Sequence, residues 1–370
     1  QKNLARALEI FEEEEVEPVV LGEFTSDKRL QVFYNGKNEV DLSTEFLFAL
    51  PARKSDARFT PKKFTEQVMR EESDYSNALK KILAMPNVCS KQNVVLRYDT
   101  EIKGGTVLKP FHGQGKGPGD ASVLKPLPNS WKGFALSNGL NPEYGKISVY
   151  DMAANAIDEA IRNNAAVGGR RFALLDNFSW GSPEKPENAF GLVDACRACY
   201  DYAKAFDAPF ISGKDSLYNE FAGNSITPTL LISCLGIIPD VRKAVSMDFK
   251  QAGNAIYLLG ETKNELGASH YYKLHGELGA NVPRVDGAAA KKTLDALAQA
   301  MDAGGLVRSC HDLSEGGLGV ALAESCFAGD LGAEVSLAQV ARTADANKNH
   351  VLLFSESATR FILEVEPQNE

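Results

Sequence analysis

The chain has 370 residues, of which 44% are hydrophobic and 24% are charged, with 31 glycines and 16 prolines. This length predicts two or three domains of about 150 residues each, and the composition excludes wholesale disorder and a collagen-like structure. The net charge of −9 argues against a broad nucleic-acid interface, and no apolar run reaches the roughly 18 residues that a membrane helix needs.

Residues 1–50 begin with a helical pattern of apolar residues, which is followed by strand-like runs at 19–21 and 30–34. Asn35-Gly36 directly follows the second run and predicts a β-hairpin, because this dipeptide accommodates the positive φ angles of the tightest hairpin turns. The stretch 51–63 is polar, basic and punctuated by prolines, which is typical of a linker between domains.

Strand-like and helical patterns then alternate to the end of the sequence, separated by glycine-bearing loops. This alternation predicts a mixed sheet covered by helices, an α/β (α+β) fold. The predicted strands lie at 94–98, 122–127, 134–137, 172–175, 229–238, 255–260 and 360–365. The predicted helices lie at 151–166, 189–206, 289–303 and 315–327. Because the sequence starts with Gln1 and stops soon after the last strand-like run, we expect a fragment of a longer protein.

The glycine-rich loop at 113–120 can direct backbone N–H groups at a phosphate, and Asp120 at its end can bind Mg²⁺. It is not a Walker loop, because Lys116 lies in its middle, no Ser or Thr follows that lysine, and a strand rather than a helix comes next. An ordinary surface turn is the alternative interpretation of this loop.

The helical pattern at 151–166 carries two oxygen donors on one face. Glu159 and Asn163 are four residues apart, so their side chains project in the same direction and can share a hard cation. On the pattern alone, two solvated surface side chains are the simpler interpretation.

The segment 311–318 (HDLSEGGL) predicts a loop that enters an apolar helix. Asp312 or Ser314 can cap the exposed N–H groups of this helix, or can bind a ligand instead. Gly316 and Gly317 are poor helix formers, which indicates a close approach of the backbone to a phosphate or to a packed strand.

Two further polar segments, 176–187 (DNFSWGSPEKPE) and 211–219 (ISGKDSLYN), each follow an apolar run. Open α/β sheets place their ligands at such strand ends. Cys196 and Cys199 form one CxxC on a helical pattern with no second pair, which favours a buried helix face over a zinc site. The six cysteines show no regular disulfide framework, so we expect a reducing, cytoplasmic environment. For His311 we expect a structural hydrogen bond.

The segments 176–187, 212–219 and 311–318, in this order and spacing, resemble the phosphoribosylformylglycinamidine synthase family, the amidotransferases of purine biosynthesis. The stretch 98–106 and the block 159–163 (EAIRN) also look like this family. The resemblance therefore extends from near residue 1 to the end of the sequence.

The resemblance implies a duplicated architecture, with two copies of an aminoimidazole-ribonucleotide-synthetase-like pair, each an N-terminal α/β domain followed by a C-terminal one. The chain looks like the second copy. On this interpretation, residues 1–58 are the tail of the first copy's C-terminal domain and residues 59–89 are a linker. Residues 90–245 are the second N-terminal domain, and residues 250–370 are a truncated second C-terminal domain.

The reaction that the resemblance implies is an ATP-dependent C–N ligation. ATP activates the amide oxygen of formylglycinamide ribonucleotide, ammonia displaces it, and formylglycinamidine ribonucleotide, ADP and phosphate result. The implied cofactors are Mg²⁺ and ATP or ADP. The implied partners are the missing N-terminal half of the synthase, a glutaminase subunit or domain that supplies ammonia, and the ribonucleotide substrate, with neither nucleic acid nor membrane.

Carried over residue by residue, the resemblance assigns ATP contacts to Asp176, Gly213 and Lys214, and a substrate contact to Ser216. Lys214 stands where many members carry an Asn that binds Mg²⁺. Because a lysine ammonium has no lone pair for a metal, contact with a phosphate is the better interpretation for Lys214.

The resemblance also implies an auxiliary nucleotide site with several Mg²⁺ ions, which the second copy holds in the larger members of the family. The matching residues are Gly119 and Ser314 for the nucleotide and Asp120, Glu159, Asn163 and Asp312 for the metal. The family's catalytic histidine belongs to the first copy. We therefore assign no catalytic residue to this chain and expect it to be inactive alone.

Two functions stay open at this point. The chain is either one wall of the ATP and ribonucleotide site of an enzyme, or a non-catalytic half that binds a structural nucleotide and docks the catalytic half. A stand-alone kinase-like relative, such as a selenophosphate or thiamine-phosphate enzyme, shares the fold but lacks the PEKPE and GKDS motifs.

Overall fold

The computed structural model describes residues 3–51, 54–98 and 100–367. Asp99, which belongs to the family-like stretch 98–106, lies outside the described residues, as do the terminal positions on which the expectation of a fragment rests. The chain divides into two compact units between Lys54 and Ser55.

The first unit contains two short helices and one hairpin. Its elements are α1 (Leu4–Glu13), β1 (Arg29–Tyr34), β2 (Lys37–Ser43) and α2 (Thr44–Phe48). The antiparallel strands are connected by Asn35 and Gly36, with φ angles of +47° and +76°. The predicted hairpin is therefore confirmed, with the two positive φ angles that a type I′ turn requires.

The expected strand at 19–21 is wrong. These residues form no regular structure, and Val19 and Leu21 are 71% and 96% exposed. A strand needs a hydrogen-bonding partner, and no strand of the described chain pairs with this run.

The second unit holds the remaining strands and helices. The strands are β3 (Thr106–Leu108), β4 (Phe111–His112), β5 (Gly117–Pro118), β6 (Ser122–Leu124), β7 (Gly133–Gly139), β8 (Arg170–Ser179), β9 (Phe210–Ser216), β10 (Glu220–Phe221), β11 (Asn224–Ser225), β12 (Thr229–Ile238), β13 (Ala255–Leu259), β14 (Val307–Asp312) and β15 (Phe361–Val365). The helices are α3 (Ser76–Leu83), α4 (Gln92–Val95), α5 (Val149–Ala166), α6 (Pro186–Ala205), α7 (His270–Leu274), α8 (Gly287–Asp302), α9 (Gly317–Gly329) and α10 (Asn349–Phe354).

The larger sheet has six strands in the order β3-β6-β7-β12-β8-β9. Its strands pair antiparallel, except that β8 and β9 at one edge are parallel. Helices α5 and α6 pack against each other, and α5 also packs on β7 and β12. The predicted mixed α/β fold is confirmed, and β9 leaves one edge of the sheet unpaired within the described chain.

The sequence explains how α5 is placed on this sheet. Ser148 caps the helix by accepting a hydrogen bond from the backbone N–H of Asp151 at 3.2 Å. Along the facing strand β12, every second residue is buried, with Leu230, Ile232 and Cys234 fully covered. The buried side chains of β12 therefore share one face of the sheet, and α5 packs against the sheet. Helix α5 carries Glu159 and Asn163.

A smaller antiparallel sheet of order β13-β15-β14 lies in the C-terminal part of the unit. All five residues of β15 are buried, as expected for the central strand of a covered sheet. Strand β14 ends at Asp312, and the chain then passes through a short loop into α9.

The predicted strand at 94–98 and the predicted linker at 59–89 both differ from their predictions. The run 94–98, predicted as a strand, begins in the short helix α4, and Val94 and Leu96 are 68% and 49% exposed. This prediction is wrong because the run is not buried in the sheet. Within the predicted linker 59–89, α3 places Ala78 and Ile82 in a buried cluster with Phe354. The domain boundaries proposed from the sequence stay a prediction.

Among the described helices, none combines the length and apolar character needed to cross a bilayer.

Candidate functional site

A cavity of about 690 Å³ lies between α5, the loop that precedes β6, and the loop between β14 and α9. It brings together six residues that are far apart in the sequence and were singled out there. These residues are Gly119, Asp120, Glu159, Asn163, Asp312 and Ser314. The spatial grouping makes this cavity the candidate functional site.

Helix α5 directs Glu159 and Asn163 into the cavity, one turn apart. The carboxylate of Glu159 accepts the backbone N–H of Leu140 at 3.0 Å, and the amide of Asn163 donates to the carbonyl of Asn138 at 3.2 Å. Asn163 is only 9% exposed. The two residues are therefore held in place by the end of β7 and are not the solvated pair that the pattern alone suggested.

At the other wall, Asp312 and Ser314 are fixed by an arginine. Arg162 Nε donates to Asp312 Oδ2 at 2.8 Å, and Arg162 Nη2 donates to the Ser314 hydroxyl at 2.7 Å. The Ser314 hydroxyl in turn donates to Asp312 Oδ2 at 2.5 Å. Neither residue caps α9, whose N-cap is Gly316 in the left-handed conformation without a side-chain hydrogen bond. The capping interpretation is wrong, so these side chains are free of that structural role.

The side chain of Asp120 is almost completely buried. Its Oδ1 accepts the backbone N–H of Asp312 at 3.0 Å and lies 2.8 Å from Nδ1 of His311. Its Oδ2 is buried and has no hydrogen-bond partner among the described residues. A buried carboxylate oxygen without a partner is costly, and a cation bound there would satisfy it.

His311 bridges two carboxylates, as Nε2 lies 3.1 Å from the carboxylate of Glu324. Burial favours the neutral ring, but Asp120 and Glu324 outweigh it and raise the pKa of His311 well above its ordinary value. The protonated imidazole donates from both nitrogens and has no lone pair for a metal. Although ligand atoms of Asp120, His311 and Asp312 lie within 4.8 Å of one another, the donors that fit a metal here are the carboxylates. The structural hydrogen bond expected for His311 is present.

The cavity concentrates negative charge. Burial, followed by repulsion from Glu315, raises the pKa of Glu159 well above its ordinary value. Burial also raises the pKa of Asp120, against the attraction of His311, and burial and Glu356 raise the pKa of Glu315 to about 7. Because oxygen-rich, carboxylate-rich sites favour hard divalent cations, the donor set fits Mg²⁺.

Arg162, Glu315 and Glu324 contribute to the site and were missed as functional residues by the sequence analysis. Arg162 lies four residues after Asp158, and its Nη1 donates to that carboxylate at 2.6 Å. Opposite charges four residues apart on a helix predict such an ion pair, so this contact could have been predicted from the sequence. The contact between Arg162 and Asp312 joins residues 150 positions apart, so no local sequence pattern predicts it.

The glycines of the 113–120 loop have a packing role. A Cβ at Gly113 would lie 1.9 Å from the carbonyl oxygen of Ala328, and a Cβ at Gly115 would lie 1.8 Å from that of Phe327. The loop forms the hairpin β4–β5 and lies directly against the end of α9. Close backbone packing therefore explains these glycines, and the loop lines the cavity rather than forming an isolated surface turn.

The adjacent glycines at the start of α9 are explained in the same way. Gly316 and Gly317 have φ angles of +79° and +60°, and a Cβ at Gly317 would lie 2.3 Å from the carbonyl oxygen of Ser355. The close approach expected from the sequence is present, and the neighbour is the backbone that follows α10 rather than a strand.

The remaining predicted residues form a second group on the edge strands β8 and β9. Asp176 lies opposite Gly213, and a Cβ at Gly213 would lie 2.5 Å from Asp176 Oδ2. Lys214 is exposed, and Ser216 is half-buried with its hydroxyl 3.3 Å from the Asn219 side chain. None of these predicted residues lines the 690 Å³ cavity. The structure thus separates the predicted residues into a cavity group and an edge group.

The CxxC pair lies on α6 as expected. Cys199 is buried and Cys196 is exposed, and both are free thiols. In the described chain, neither belongs to a cluster of metal-ligating side chains. The predicted buried helix face is therefore confirmed for Cys199 and wrong for Cys196, which lies on the exposed side of α6.

Two family models match the chain. Residues 118–238 match the AIR synthase related protein, N-terminal domain, and residues 251–370 match the AIR synthase related protein, C-terminal domain. Together they cover about two thirds of the sequence.

The chain is similar along its whole length to curated relatives named phosphoribosylformylglycinamidine synthase subunit PurL. It is 34% identical to that of Thermococcus sibiricus over 369 residues, which cover 100% of this chain and 50% of the relative. It is 36% identical to that of Methanocaldococcus jannaschii over 376 residues, which cover 98% of this chain and 49% of the relative. The chain therefore spans about half the length of these relatives.

Solved structures of PurL from Thermotoga maritima share the fold. The structure described as complexed with FGAR matches with a TM-score of 0.59 at 21% identity, covering 80% of this chain and 48% of that chain. The one described as complexed with ATP matches with a TM-score of 0.56 at 18% identity, covering 98% of this chain and 50% of that chain. The chain therefore belongs to the AIR synthase related proteins, and over its whole length it is similar to phosphoribosylformylglycinamidine synthase subunits PurL, of which it spans about half.

Proposed function

We propose that this chain is the second half of a phosphoribosylformylglycinamidine synthase. The whole synthase would use ATP to convert formylglycinamide ribonucleotide and glutamine-derived ammonia to formylglycinamidine ribonucleotide, ADP and phosphate. The observation that carries the proposal is the gathering of all six auxiliary-site residues around one cavity, with an unpartnered carboxylate oxygen on Asp120.

In the cavity, oxygen atoms of Asp120, Glu159, Asn163 and Asp312 would hold Mg²⁺. Mg²⁺ would neutralise the charge of nucleotide phosphates and fix their positions. Gly119 and the Ser314 hydroxyl lie beside the carboxylates, where they would contact the nucleotide.

The basic residues at the cavity have two different roles, phosphate contact and orientation of the acidic side chains. Lys91 and Lys116 line the cavity and can approach phosphate oxygens. Arg162 is occupied by Asp158, Asp312 and Ser314, so it orients the metal-binding wall and is a positioning residue.

The edge group would serve the catalytic site of the whole synthase. Asp176, Gly213 and Lys214 would contact ATP, with the Lys214 ammonium on a phosphate, and Ser216 would contact the ribonucleotide. These residues lie on the strand pair at the open edge of the sheet, so they form one wall of a site and require the other half of the synthase. The chain supplies no catalytic residue and would be inactive alone.

A second candidate function is favoured by one contrast between the two groups. All residues of the cavity group are buried or half-buried, whereas Gly213 and Lys214 of the edge group are exposed. A nucleotide in the cavity would then be a permanent structural element, and the chain would dock the catalytic half without taking part in turnover.

We also propose a cytoplasmic location and a glutaminase partner that delivers ammonia. The location is supported by the six cysteines, all of which are free thiols.

The proposal is tested on the whole synthase that contains this chain, assayed with formylglycinamide ribonucleotide, ATP and ammonia. If the edge group serves catalysis, Ser216→Ala raises the KM for the ribonucleotide and Lys214→Gln raises the KM for ATP, while Ser130→Ala, a half-buried serine outside both groups, changes neither. Unchanged kinetics in both edge variants would contradict the catalytic role and leave the structural-nucleotide function. Absence of any turnover by the whole protein would contradict the synthase assignment.

A further inference from the structure

Glu356 is a buried carboxylate that contacts the segments leading into two walls of the 690 Å³ cavity. It lies between α10 and β15, its side chain is 1% exposed, and it does not line the cavity itself. A buried carboxylate is costly unless hydrogen-bond donors satisfy it. The groups that donate to Glu356 therefore indicate what this residue does.

One oxygen of Glu356 holds the start of α9. Oε1 accepts the backbone N–H of Gly316, the N-cap of that helix, at 2.8 Å. The carboxylate satisfies an N–H that has no partner within the helix, and its negative charge is favoured by the helix dipole. Gly316 follows Ser314 and Glu315, both of which line the cavity. Glu356 therefore fixes one end of the loop that carries these two side chains.

The other oxygen of Glu356 contacts the segment that leads into a second wall. The hydroxyl of Tyr144 donates to Oε2 at 2.7 Å, and the carbonyl of Tyr144 accepts the backbone N–H of Ser148 at 2.9 Å. Ser148 caps α5, the helix that carries Glu159 and Asn163. One carboxylate thus connects the start of α9 to the start of α5.

His270 supplies the opposite charge. Its backbone N–H donates to Oε1 of Glu356 at 2.9 Å, and its ring atom Nδ1 lies 2.9 Å from the same oxygen. Burial favours the neutral imidazole, but Glu356 outweighs it and raises the pKa of His270. Burial likewise opposes ionisation of Glu356, but His270 outweighs it and lowers the pKa of that carboxyl. Both shifts favour a buried ion pair that keeps Glu356 charged.

The backbone on both sides of Glu356 is held in place. The hydroxyl of Ser355 donates to the carbonyl of Lys263 at 2.8 Å, and the carbonyl of Ser357 accepts Nε of Arg360 at 3.0 Å. The carboxylate of Glu356 is therefore a fixed point to which the two cavity segments are attached.

We propose that Glu356, paired with His270, is a positioning residue that holds the loop at 314–316 and the start of α5 in the arrangement a nucleotide requires. This inference rests on the proposed nucleotide site, since Ser314 contacts the nucleotide there. Glu356 itself touches no ligand and acts through Gly316 and Tyr144.

Glu364 provides a matched comparison. It is also a buried carboxylate, at 2% exposed, and it accepts the backbone N–H of Lys250 at 2.7 Å and that of Gln251 at 3.0 Å. None of these three residues lines the cavity. Glu364 therefore has the structural role of a buried carboxylate without the connection to the cavity.

The test is calorimetric titration of the chain with MgADP and, separately, with MgCl₂. Glu356→Gln keeps the size of the side chain and removes its charge, and the milder Tyr144→Phe removes one hydroxyl. Each should weaken MgADP binding about tenfold, the loss of about one hydrogen bond to the nucleotide. Affinity for Mg²⁺ alone should be nearly unchanged, because Asp312 is held by Arg162. A general loss of stability would not separate the two affinities in this way.

Two controls match these variants. Glu364→Gln changes the comparison carboxylate, and Tyr202→Phe removes a hydroxyl that donates to the carbonyl of Val285 at 2.7 Å, away from the cavity lining. Both should bind MgADP as the wild type does. Circular dichroism identifies a temperature at which every variant is folded, and binding is compared there.

Amide hydrogen exchange gives a second measurement that needs no nucleotide. The peptide 312–318 should exchange faster in Glu356→Gln than in the wild type, and at the wild-type rate in Glu364→Gln. A wild-type chain that binds no nucleotide would contradict the proposed function instead, and the exchange rates would then decide whether Glu356 positions this loop. Unchanged exchange in Glu356→Gln, MgADP affinity that both cavity variants leave intact, or an equal loss of affinity in Glu364→Gln would overturn the proposal.

Discussion

Arg162 Nε donates a hydrogen bond to Asp312 Oδ2 at 2.8 Å, and both side chains are at least 94% buried. The contact joins α5 of the N-terminal domain to the end of β14 in the C-terminal domain. Because Arg162 also contacts Asp158 and Ser314, one guanidinium determines the orientation of the cavity wall that carries Asp312 and Ser314.

Removal of this guanidinium should destabilise the fold strongly. Arg162→Ala leaves two carboxylates buried without their partner, and breaking a buried ion pair from one side costs about 3–5 kcal/mol. Urea unfolding followed by circular dichroism should show this loss. Arg242→Ala removes an exposed ion pair with Asp240 and serves as the matched control, for which we expect little change. Equal effects of the two variants would contradict the structural role of Arg162.

Glu315 should make stability depend on pH in a defined direction. Burial and Glu356 raise its pKa from 4.5 to about 7, so the folded chain binds a proton that the unfolded chain has already lost between these values. Stability contributed by this group is therefore full below about pH 4.5 and falls as pH rises towards about 7 and beyond, by on the order of 3 kcal/mol. Comparison of wild type and Glu315→Gln across this range isolates the effect, because the glutamine variant should lack this decline. Parallel pH profiles would contradict the assignment.

Divalent cations should bind more tightly as pH rises. Burial raises the pKa values of Asp120 and Glu159, and a carboxylate must lose its proton before it binds metal. We expect Mg²⁺ to raise the thermal unfolding temperature of the chain more at pH 8 than at pH 6. At a free Mg²⁺ concentration of 100 times its Kd, binding raises the free energy of unfolding by about 2.7 kcal/mol.

Glu159→Gln should reduce this stabilisation, whereas Asp295→Asn on the exposed face of α8 should preserve it. A Mg²⁺ effect that is the same at both pH values and in both variants would contradict a carboxylate metal site.

The left-handed glycine at the first position of α9 should tolerate no side chain. Gly317 has a φ angle of +60°, and a Cβ there would lie 2.3 Å from the carbonyl oxygen of Ser355. Gly317→Ala should lower the free energy of unfolding by more than about 1 kcal/mol, because strain and overlap add. Gly332→Ala, where a Cβ meets nothing within 4 Å and φ is not positive, is the control and should be nearly neutral. Similar stabilities of the two variants in thermal unfolding would refute this explanation of the glycine.

The fold could be predicted from the sequence wherever a local pattern decides the structure. The alternating run that forms β12 and the Asn35-Gly36 hairpin are examples, since both depend on residues close together in the chain. The runs at 19–21 and 94–98 failed because an apolar run forms a strand only when another strand pairs with it.

The site could be predicted only in part. Asp120, Glu159 and Asp312 were singled out from local patterns, the family resemblance assigned them to a metal site, and the structure brings them to one cavity. The contact between Arg162 and Asp312 was not predicted, because it joins positions 150 residues apart. Separation of the edge group from the cavity group likewise depends on tertiary packing, which no local pattern encodes.

The most direct measurement is calorimetric titration of the nucleotide-free chain with MgADP and MgATP, repeated on Asp120→Asn and Asp312→Asn, with Asp295→Asn as the control. If the cavity is a magnesium–nucleotide site, the wild type and the control bind a nucleotide and the two cavity variants lose that binding. A folded, nucleotide-free wild type that binds neither nucleotide, or cavity variants that bind as well as the wild type, would contradict it.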